Sequence, residues 1–261
     1  MKRFGLLGEK LSHSWSPIIH DFIYKKFNID ATYELLECSE DELESYINLL
    51  KNGVYSGFNV TIPYKKTIMK YLDCITDVAL NIGSVNTVYI KDGKVIGTNT
   101  DYDGFKKELE CYNIDCYKKD AYVLGTGGAS LAIKKVLTDL GANVTCVSRN
   151  PKDNEISYAD LENCNIDVLV NTTPVGMYPN VCNSPVSNFI ALKAKVVVDI
   201  IFNPLKTKLL SDANSDYNGL IMLVGQALKA EEIWLDKNLD INVLDIVDYV
   251  KKVKLDGKSN W

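Results

Sequence analysis

The chain has 261 residues, of which 46 % are hydrophobic and 24 % charged, a composition typical of globular proteins and not of disordered ones. Its net charge of −5 argues against a nucleic-acid partner, because phosphate binding depends on Lys and Arg. No apolar stretch approaches the roughly 18 residues of a membrane span and the N-terminus lacks a signal-peptide core, so we expect a cytoplasmic protein.

The first hundred residues alternate short apolar runs with amphipathic segments, a pattern typical of α/β proteins. A helix is predicted to begin at Ser16, with Ser16 as N-cap and Pro17 at the first helical position. A capping box at residues 39–42 and Pro63 predict two further helix starts. The apolar runs predict strands over residues 4–8, 32–36, 58–61, 85–90 and 94–98, the last two joined as a hairpin.

Beyond Asp101 the pattern becomes strand, helix, strand. A helix over 102–110 precedes continuous apolar runs at 121–124, 144–147, 166–170 and 195–201, which is typical of a parallel sheet covered on both faces. Two amphipathic helices are predicted between residues 226 and 252, and we expect them to pack back on the first domain.

The segment after the strand at 121–124 is rich in glycine and opens a helix that ends at Gly141. Glycines let the backbone approach a pyrophosphate, and the free N–H groups of the helix start bind it. This strand, loop and helix predict a dinucleotide site, although Ser130 stands at the third glycine position of the usual motif. A tight turn without a ligand is the alternative.

The next strand leads into Ser148, Arg149 and Lys152. An NAD-specific site usually carries an acidic residue there, whereas a cation suits the 2′-phosphate of NADP. Arg149 therefore favours NADP; the alternative is an exposed arginine on a loop.

Four polar clusters, at residues 12–17, 59–66, 84–87 and 97–101, lie at the ends of predicted strands. They offer hydroxyls, amides, Lys65 and Asp101, the groups needed to hold a small polyhydroxylated acid and to move a proton. Taken alone, Lys65 and Lys66 also fit a solvated helix face, and Asp101 also fits a helix cap.

Six segments resemble, in order, the signature segments of the shikimate dehydrogenases: SHSWSP, FNVTIPYKK, GSVNT, GTNTDYDG, GTGGAS and MLVGQA. The resemblance implies an N-terminal α/β substrate domain at residues 1–101, completed by 225–261, and a Rossmann-like NADP-binding domain at 102–224. It also implies NADPH-dependent, reversible reduction of 3-dehydroshikimate to shikimate in aromatic amino-acid (chorismate) biosynthesis.

The resemblance also implies roles for single residues. Lys65 resembles the catalytic lysine, with Asp101 as its partner, and which of the two accepts the proton stays open. The positions that match substrate-binding residues are Ser14, Ser16, Thr61, Asn86, Asp101, Phe202 and Gln226. The positions that match cofactor-binding residues are Asp77, Gly125, Thr126, Gly127, Gly128, Ala129, Ser148, Arg149, Lys152, Ile200 and Gly219.

Two positions depart from the family pattern. Phe202 stands where the family often has a tyrosine that reaches the substrate carboxylate, and a phenyl ring cannot donate that hydrogen bond. Ser148 stands where an asparagine is common in the 2′-phosphate loop.

Other readings remain open at this stage. A quinate/shikimate dehydrogenase would accept NAD and quinate as well, and a non-catalytic NADP-binding sensor would share the fold without using the Lys65–Asp101 pair. A methylene-tetrahydrofolate dehydrogenase fits the architecture but not the hydroxyl-rich segments. With two histidines and no CxxC pair we expect free thiols and no metal. The expected partners are small molecules only, in a monomer or a homodimer.

Overall fold

The computed structural model describes residues 1–256, which form two compact units. Unit 1 comprises Met1–Gly104 together with the chain from Val224 onward, and unit 2 comprises Phe105–Leu223. Among residues 1–256, no helix combines the length and apolar character that crossing a membrane requires.

Unit 1 is built on a mixed six-stranded sheet. Its strands are β1 (Lys2–Gly8), β2 (Ala31–Glu37), β3 (Gly57–Val60), β4 (Cys74–Ile75), β5 (Thr87–Lys91) and β6 (Lys94–Thr98). They lie in the order β2-β1-β3-β5-β6-β4; β1 is parallel to β2 and β3, and β5 is antiparallel to β3 and β6. The helices of its N-terminal part are α1 (Ser16–Phe27), α2 (Leu43–Lys51) and α3 (Asp77–Ile82), and α4 (Asp101–Cys111) begins at its end.

Several helix starts differ from the sequence predictions. Ser16 is the first residue of α1, and Trp15 occupies the N-cap position. The capping box is present, but it closes a 3₁₀ turn at Glu40–Glu42 that precedes α2. The prediction that a helix opens at Pro63 is wrong: residues 62–66 form a turn, followed by a 3₁₀ helix at Thr67–Tyr71. The Lys65 carbonyl accepts the N–H of Val85 at 2.8 Å, so it takes no part in a helical ladder.

Unit 2 is built on a parallel six-stranded sheet. Its strands are β7 (Asp120–Leu124), β8 (Asn143–Val147), β9 (Glu155–Ile156), β10 (Val168–Asn171), β11 (Val196–Asp199) and β12 (Tyr217–Asn218), in the order β12-β11-β10-β7-β8-β9. The helices are α5 (Gly128–Asp139), α6 (Asn188–Lys193) and α7 (Lys208–Asp212). The chain runs outward from β7 to one side and from β10 to the other, so β7 and β10 flank the switch point where such sheets bind ligands.

The last two helices are α8 (Leu220–Leu235) and α9 (Val243–Asp256). Trp234 of α8 stacks on Phe4 with ring centroids 4.6 Å apart and donates its indole N–H to the Val88 carbonyl at 3.1 Å. Tyr249 of α9 packs against Phe22 with centroids 4.5 Å apart. These contacts bury aromatic surface of both helices against unit 1, so the predicted α/β fold class with returning C-terminal helices is confirmed.

Candidate active site

The topology of unit 1 brings three distant segments to one edge of its sheet. Asn59 of β3 pairs with Thr87 of β5, and Thr87 pairs in turn with Thr98 of β6. Because β5 is antiparallel to both neighbours, its first residue lies beside the C-terminal ends of β3 and β6. The segments that follow β3 and β6 and the segment that precedes β5 therefore meet, and they carry Lys65, Asp101 and Asn86.

Lys65 and Asp101 form a largely buried ion pair at this end of the sheet. The Lys65 ammonium donates to Oδ2 of Asp101 at 2.5 Å, and the two side chains are only 14 % and 9 % exposed. Lys66, the next residue, is exposed. Burial of both charges weakens competition from water and makes the geometry of the contact stable.

Asn86 holds the other oxygen of Asp101. Its amide nitrogen donates to Oδ1 of Asp101 at 2.9 Å, and its amide oxygen accepts the backbone N–H of Thr100 at 2.7 Å. The same amide nitrogen lies 3.5 Å from Oε1 of Gln226 on α8. Four predicted site residues, Lys65, Asp101, Asn86 and Gln226, thus lie in one hydrogen-bonded group; the last three are buried, and the Lys65 side chain is 14 % exposed.

A second layer of polar side chains supports Asn86. Asn59 and Thr87 belong to the predicted polar clusters without an individual predicted role, and Tyr33 lies outside them. Thr87 donates its hydroxyl to the Asn86 amide oxygen at 3.0 Å, and Asn59 donates to the Thr87 hydroxyl at 3.0 Å. Tyr33 of β2 donates to the Asn59 amide oxygen at 2.8 Å. The signal that marks them is polarity at buried strand positions: Asn59 is 4 % exposed and Thr87 is fully buried.

The predicted carboxylate-binding serines lie at the start of α1. The Ser14 hydroxyl accepts the backbone N–H of Ser16 at 3.3 Å, which orders the turn before the helix. A side-chain hydrogen bond joins Ser16 to Tyr33. Thr61 follows β3 and donates its N–H to Leu7 at 2.9 Å, so the ends of β1 and β3 place Thr61 and the serines on the same edge.

Beneath these residues lies a buried pair formed by His20 of α1 and Glu231 of α8. Nδ1 of His20 is 2.6 Å from Oε1 of Glu231, and both side chains are fully buried. The His20 ring stacks on Tyr33 with centroids 3.7 Å apart. Burial, followed by the negative charge of Glu231, raises the pKa of the Tyr33 phenol well above its ordinary value, so the phenol is a hydrogen-bond donor.

The glycine loop of unit 2 follows β7 at the switch point of the sheet. Gly125 has a φ of +96°, in the left-handed region that favours glycine, and Gly127 is the N-cap of the 12-residue helix α5. A side chain built on Gly127 would meet no atom within 4 Å, so the helix start faces open space. Ser130 does not take the role of a glycine; it is buried and donates its hydroxyl to the Gly127 carbonyl at 2.6 Å. This cradle fits a pyrophosphate bound by the first N–H groups of α5.

The loop after β8 holds the predicted 2′-phosphate residues. Ser148 accepts the N–H of Asn150 at 3.1 Å, and Glu155 accepts the N–H of Lys152 at 3.1 Å, so the loop is closed by its own hydrogen bonds. Arg149 is exposed, and within residues 1–256 its guanidinium makes no hydrogen bond or ion pair. This arrangement leaves a cation available to an incoming anion.

At the end of β11, Asp199 is fully buried and accepts hydrogen bonds from Asn171 at 3.0 Å, Ile201 at 3.1 Å and Thr207 at 2.7 Å. Burial raises the pKa of Asp199 to about 6, although the three hydrogen bonds oppose the increase. Gly219 lies against this segment: a Cβ at Gly219 would come within 2.0 Å of the Ile200 carbonyl oxygen. The predicted cofactor residues Ile200 and Gly219 are therefore in direct backbone contact.

Phe202 and Asp77 are the two remaining predicted site residues. Phe202 follows β11 in unit 2, and Asp77 is the exposed first residue of α3 in unit 1. Their predicted substrate and cofactor contacts stay predictions. Within residues 1–256, no group of three or more His, Cys, Asp or Glu side chains has the arrangement of a metal site, and all seven cysteines are free thiols.

Comparison with known proteins places the chain among the shikimate dehydrogenases. The family model for the shikimate dehydrogenase substrate binding domain matches residues 6–88. A shikimate dehydrogenase (NADP(+)) from Clostridium perfringens is 45 % identical over 265 residues, which cover 94 % of this chain and 98 % of the relative. A protein of the same name from Methanococcus maripaludis is 39 % identical, with 93 % and 95 % covered.

The fold is also similar to those of solved shikimate dehydrogenases. Shikimate dehydrogenase 1 from Peptoclostridium difficile superposes with a TM-score of 0.88 at 41 % identity, covering 98 % of this chain and 99 % of that one. The shikimate 5-dehydrogenase of Thermus thermophilus, solved in complex with NADP(H) and shikimate, superposes with a TM-score of 0.86 at 27 % identity, with 97 % and 99 % covered.

Proposed function

Because the chain belongs to the shikimate dehydrogenase family, we propose that Lys65 and Asp101 form the pair that moves the proton while 3-dehydroshikimate and shikimate are interconverted. The protein is an NADP-dependent oxidoreductase that acts on a CH–OH group. The observation that carries the assignment is the buried contact of 2.5 Å between the Lys65 ammonium and the Asp101 carboxylate.

The reaction adds a hydride to the C3 carbonyl carbon and a proton to its oxygen. When bound, NADPH supplies the hydride. Lys65, as an ammonium, hydrogen-bonds the carbonyl oxygen, on which negative charge grows, and transfers a proton to it. In the direction of shikimate oxidation, the neutral Lys65 amine accepts the hydroxyl proton, so the same nitrogen serves both directions.

Asp101 orients the lysine and offers an acceptor to a neighbouring ring hydroxyl. Its Oδ2 is engaged by Lys65 and its Oδ1 by Asn86, so the carboxylate cannot rotate without breaking a buried hydrogen bond. Asn86 and Gln226 meet at 3.5 Å beside it and present amide groups to the substrate hydroxyls. A rigid first layer of this kind holds the reacting groups in position, which lowers the entropic cost of reaction.

The hydroxyls of Ser14, Ser16 and Thr61 are proposed to bind the remaining polar groups of the substrate, the serines taking its carboxylate. The two serines share one turn, since the Ser14 hydroxyl accepts the Ser16 N–H. Phe202 supplies no hydrogen bond to that carboxylate, and the serines therefore carry more of the recognition.

NADP is proposed to bind unit 2 through the glycine loop and the loop after β8. Gly125, Thr126, Gly127, Gly128 and Ala129 would hold the pyrophosphate at the start of α5, where the structure leaves open space. Arg149, with Ser148 and Lys152 in the same loop, would hold the 2′-phosphate. Asp77, Ile200 and Gly219 are the remaining proposed cofactor contacts.

A cytoplasmic location is part of the proposal. It is supported by the seven free cysteines, which suit a reducing compartment, and by the use of NADPH in biosynthesis. The proposed ligands are small molecules, and the chain is a monomer or a homodimer.

The test is an absorbance assay at the reduced-nicotinamide band with purified protein, shikimate and NADP. Parallel reactions replace NADP by NAD, or shikimate by quinate. Reduction of NADP that depends on shikimate is the expected result. Comparable turnover with quinate or NAD would instead indicate the broader quinate/shikimate enzyme. Binding of NADP without turnover of any substrate would refute the proposed reaction and favour a sensor.

A further inference from the structure

Four hydrogen bonds behind the Lys65–Asp101 pair run in one direction. Tyr33 donates to Asn59 at 2.8 Å, Asn59 to Thr87 at 3.0 Å, Thr87 to Asn86 at 3.0 Å, and Asn86 to Asp101 at 2.9 Å. Asn59, Thr87 and Asn86 each accept one of these hydrogen bonds and donate the next one. The last acceptor is the Asp101 carboxylate oxygen that Lys65 does not occupy.

The direction of this chain is determined by groups that cannot reverse. At one end, the backbone N–H of Thr100 donates to the Asn86 amide oxygen at 2.7 Å, and an N–H has no acceptor capacity. The Asn86 amide nitrogen must therefore face Asp101. At the other end, burial beside Glu231 keeps the Tyr33 phenol protonated, and the His20 ring stacked on Tyr33 fixes its position.

We propose that Tyr33, Asn59 and Thr87 are positioning residues of this reaction: their aligned donors hold the Asn86 amide in the orientation that fixes Asp101 beside Lys65. The inference rests on the proposed function of that pair. None of the three is assigned to touch the reacting atoms, so the proposed effect on kcat passes through Asn86. Tyr33 is also hydrogen-bonded to Ser16, and loss of that contact would change KM for shikimate instead. In a buried setting, aligned hydrogen bonds strengthen one another, and a missing donor leaves an acceptor unpaired.

Thr87 is the decisive link, because its hydroxyl both accepts from Asn59 and donates to Asn86. The Thr87 side chain is fully buried, so water cannot take the place of its hydroxyl unless the substitution leaves a cavity large enough to hold it. Loss of this hydroxyl leaves the Asn59 amide nitrogen and the Asn86 amide oxygen with one partner fewer each. The Asn86 amide oxygen then keeps only the two donors of Thr100, and its side chain is held less firmly beside Asp101.

The first test compares Tyr33→Phe with Tyr55→Phe in the full-length enzyme. Tyr55 is a matched control, because its phenol also donates to a side chain of the same sheet, Glu34 at 3.1 Å, outside this chain of donors. We expect Tyr33→Phe to lower kcat for shikimate oxidation by about three- to tenfold, the effect of one net hydrogen bond. KM for NADP should change by less than about twofold, and Tyr55→Phe should keep kcat within about twofold of the parent.

The second test compares Thr87→Val with Thr87→Ser, with Tm measured for both. Thr87→Ser keeps the hydroxyl and should retain kcat within about threefold of the parent, whereas Thr87→Val keeps the volume and should lose kcat by about tenfold. A role in folding alone would lower Tm and kcat in step and would not depend on the hydroxyl.

Failure of the proposed reaction and failure of the positioning role give different results. If the parent enzyme does not oxidise shikimate with NADP, the proposed function fails. If the parent is active and Tyr33→Phe and Thr87→Val keep its kcat, or if Tyr55→Phe loses as much as Tyr33→Phe, the positioning role alone is overturned. Failure of Thr87→Val to fold leaves Tyr33→Phe against Tyr55→Phe as the deciding comparison.

Discussion

Asp101 is held by Lys65 on one carboxylate oxygen at 2.5 Å and by Asn86 on the other at 2.9 Å, so neither oxygen is left without a donor. Both charged side chains are largely buried, at 14 % and 9 % exposure. A charge pair in this setting is weakly screened by salt, and removal of one partner leaves the other uncompensated. This relationship is the basis of the first prediction.

Lys65→Ala should lower kcat by about 10²- to 10⁴-fold while the protein stays folded, because the proton-transfer group is lost but the sheet is not. The measurement is steady-state shikimate oxidation with NADP, with circular dichroism to check the fold. Lys66→Ala is the control, since Lys66 is the exposed neighbour of Lys65. A folded Lys65→Ala enzyme with near-normal kcat would contradict the assignment.

Arg149→Ala should raise KM for NADPH by about tenfold or more and leave KM for NADH nearly unchanged, because only NADPH carries the 2′-phosphate that a guanidinium binds with charge-assisted hydrogen bonds. NADH serves as the internal control in the same variant. Arg149 makes no hydrogen bond or ion pair within residues 1–256, so its removal should not disturb the fold. Equal changes for both cofactors would rule out a 2′-phosphate contact.

Gly219→Ala and Gly127→Ala should separate a structural glycine from a ligand-facing one. A methyl group at Gly219 would lie 2.0 Å from the Ile200 carbonyl oxygen, and backbone atoms cannot move aside cheaply, so we expect a loss of about 3 kcal/mol in the free energy of unfolding. A methyl group at Gly127 meets nothing within 4 Å, so that variant should fold normally and show a raised KM for NADPH. Urea denaturation and cofactor titration measure the two effects; equal stability of the two variants would contradict this account.

Asp199 should make the protein less stable as pH rises from about 4 to 6. Its pKa is raised from the ordinary value of 3.8 to about 6, so across this window the folded state holds a proton that the unfolded state has released. By linkage, the free energy of unfolding then falls with rising pH, by about 3 kcal/mol in total for this group. Asp199→Asn removes the titration, and its free energy of unfolding minus that of the parent should increase between pH 4.5 and pH 7.

The control for that measurement is Asp216→Asn, which removes a carboxylate of the same unit that is 85 % exposed. Taking the difference from the parent at each pH cancels the titration of all other groups. A difference for Asp199→Asn that stays constant across the window would show that the buried carboxyl does not titrate there.

Much of the fold could be predicted because the apolar runs are short and are bounded by glycine, proline and capping residues. The sequence predicts four strands of unit 2 to within two or three residues, but not β9 and β12, which are two residues long and carry no periodicity. The helix predicted at Pro63 was wrong, because the Lys65 carbonyl is taken by Val85, 20 residues further along the chain. A tertiary hydrogen bond of that kind leaves no local signal.

In the candidate site, too, residues that are positioned by tertiary contacts carry no local signal. Lys65, Asn86, Asp101 and Gln226 were identified from their segments, and the structure brings all four together. Tyr33 lies within the strand predicted at residues 32–36, where no local signal distinguishes a functional tyrosine from a packing one. Only its position between Ser16, Asn59 and the His20–Glu231 pair distinguishes it.

The sequence by itself determined the α/β class, the glycine loop, the cation of the proposed nucleotide site and the residue types of the proposed chemistry, because each of these depends on local composition and spacing. The hairpin of β5 and β6 is predicted from the sequence, whereas the pairing of β5 with the distant strand β3 was decided by the tertiary structure alone. The hairpin carries Asn86 to Asp101, and the β3–β5 pairing places Asn59 against Thr87 in the buried chain of donors behind them. Strand order has this effect because hydrogen bonds between distant segments form only when the sheet brings their backbones within a few ångströms.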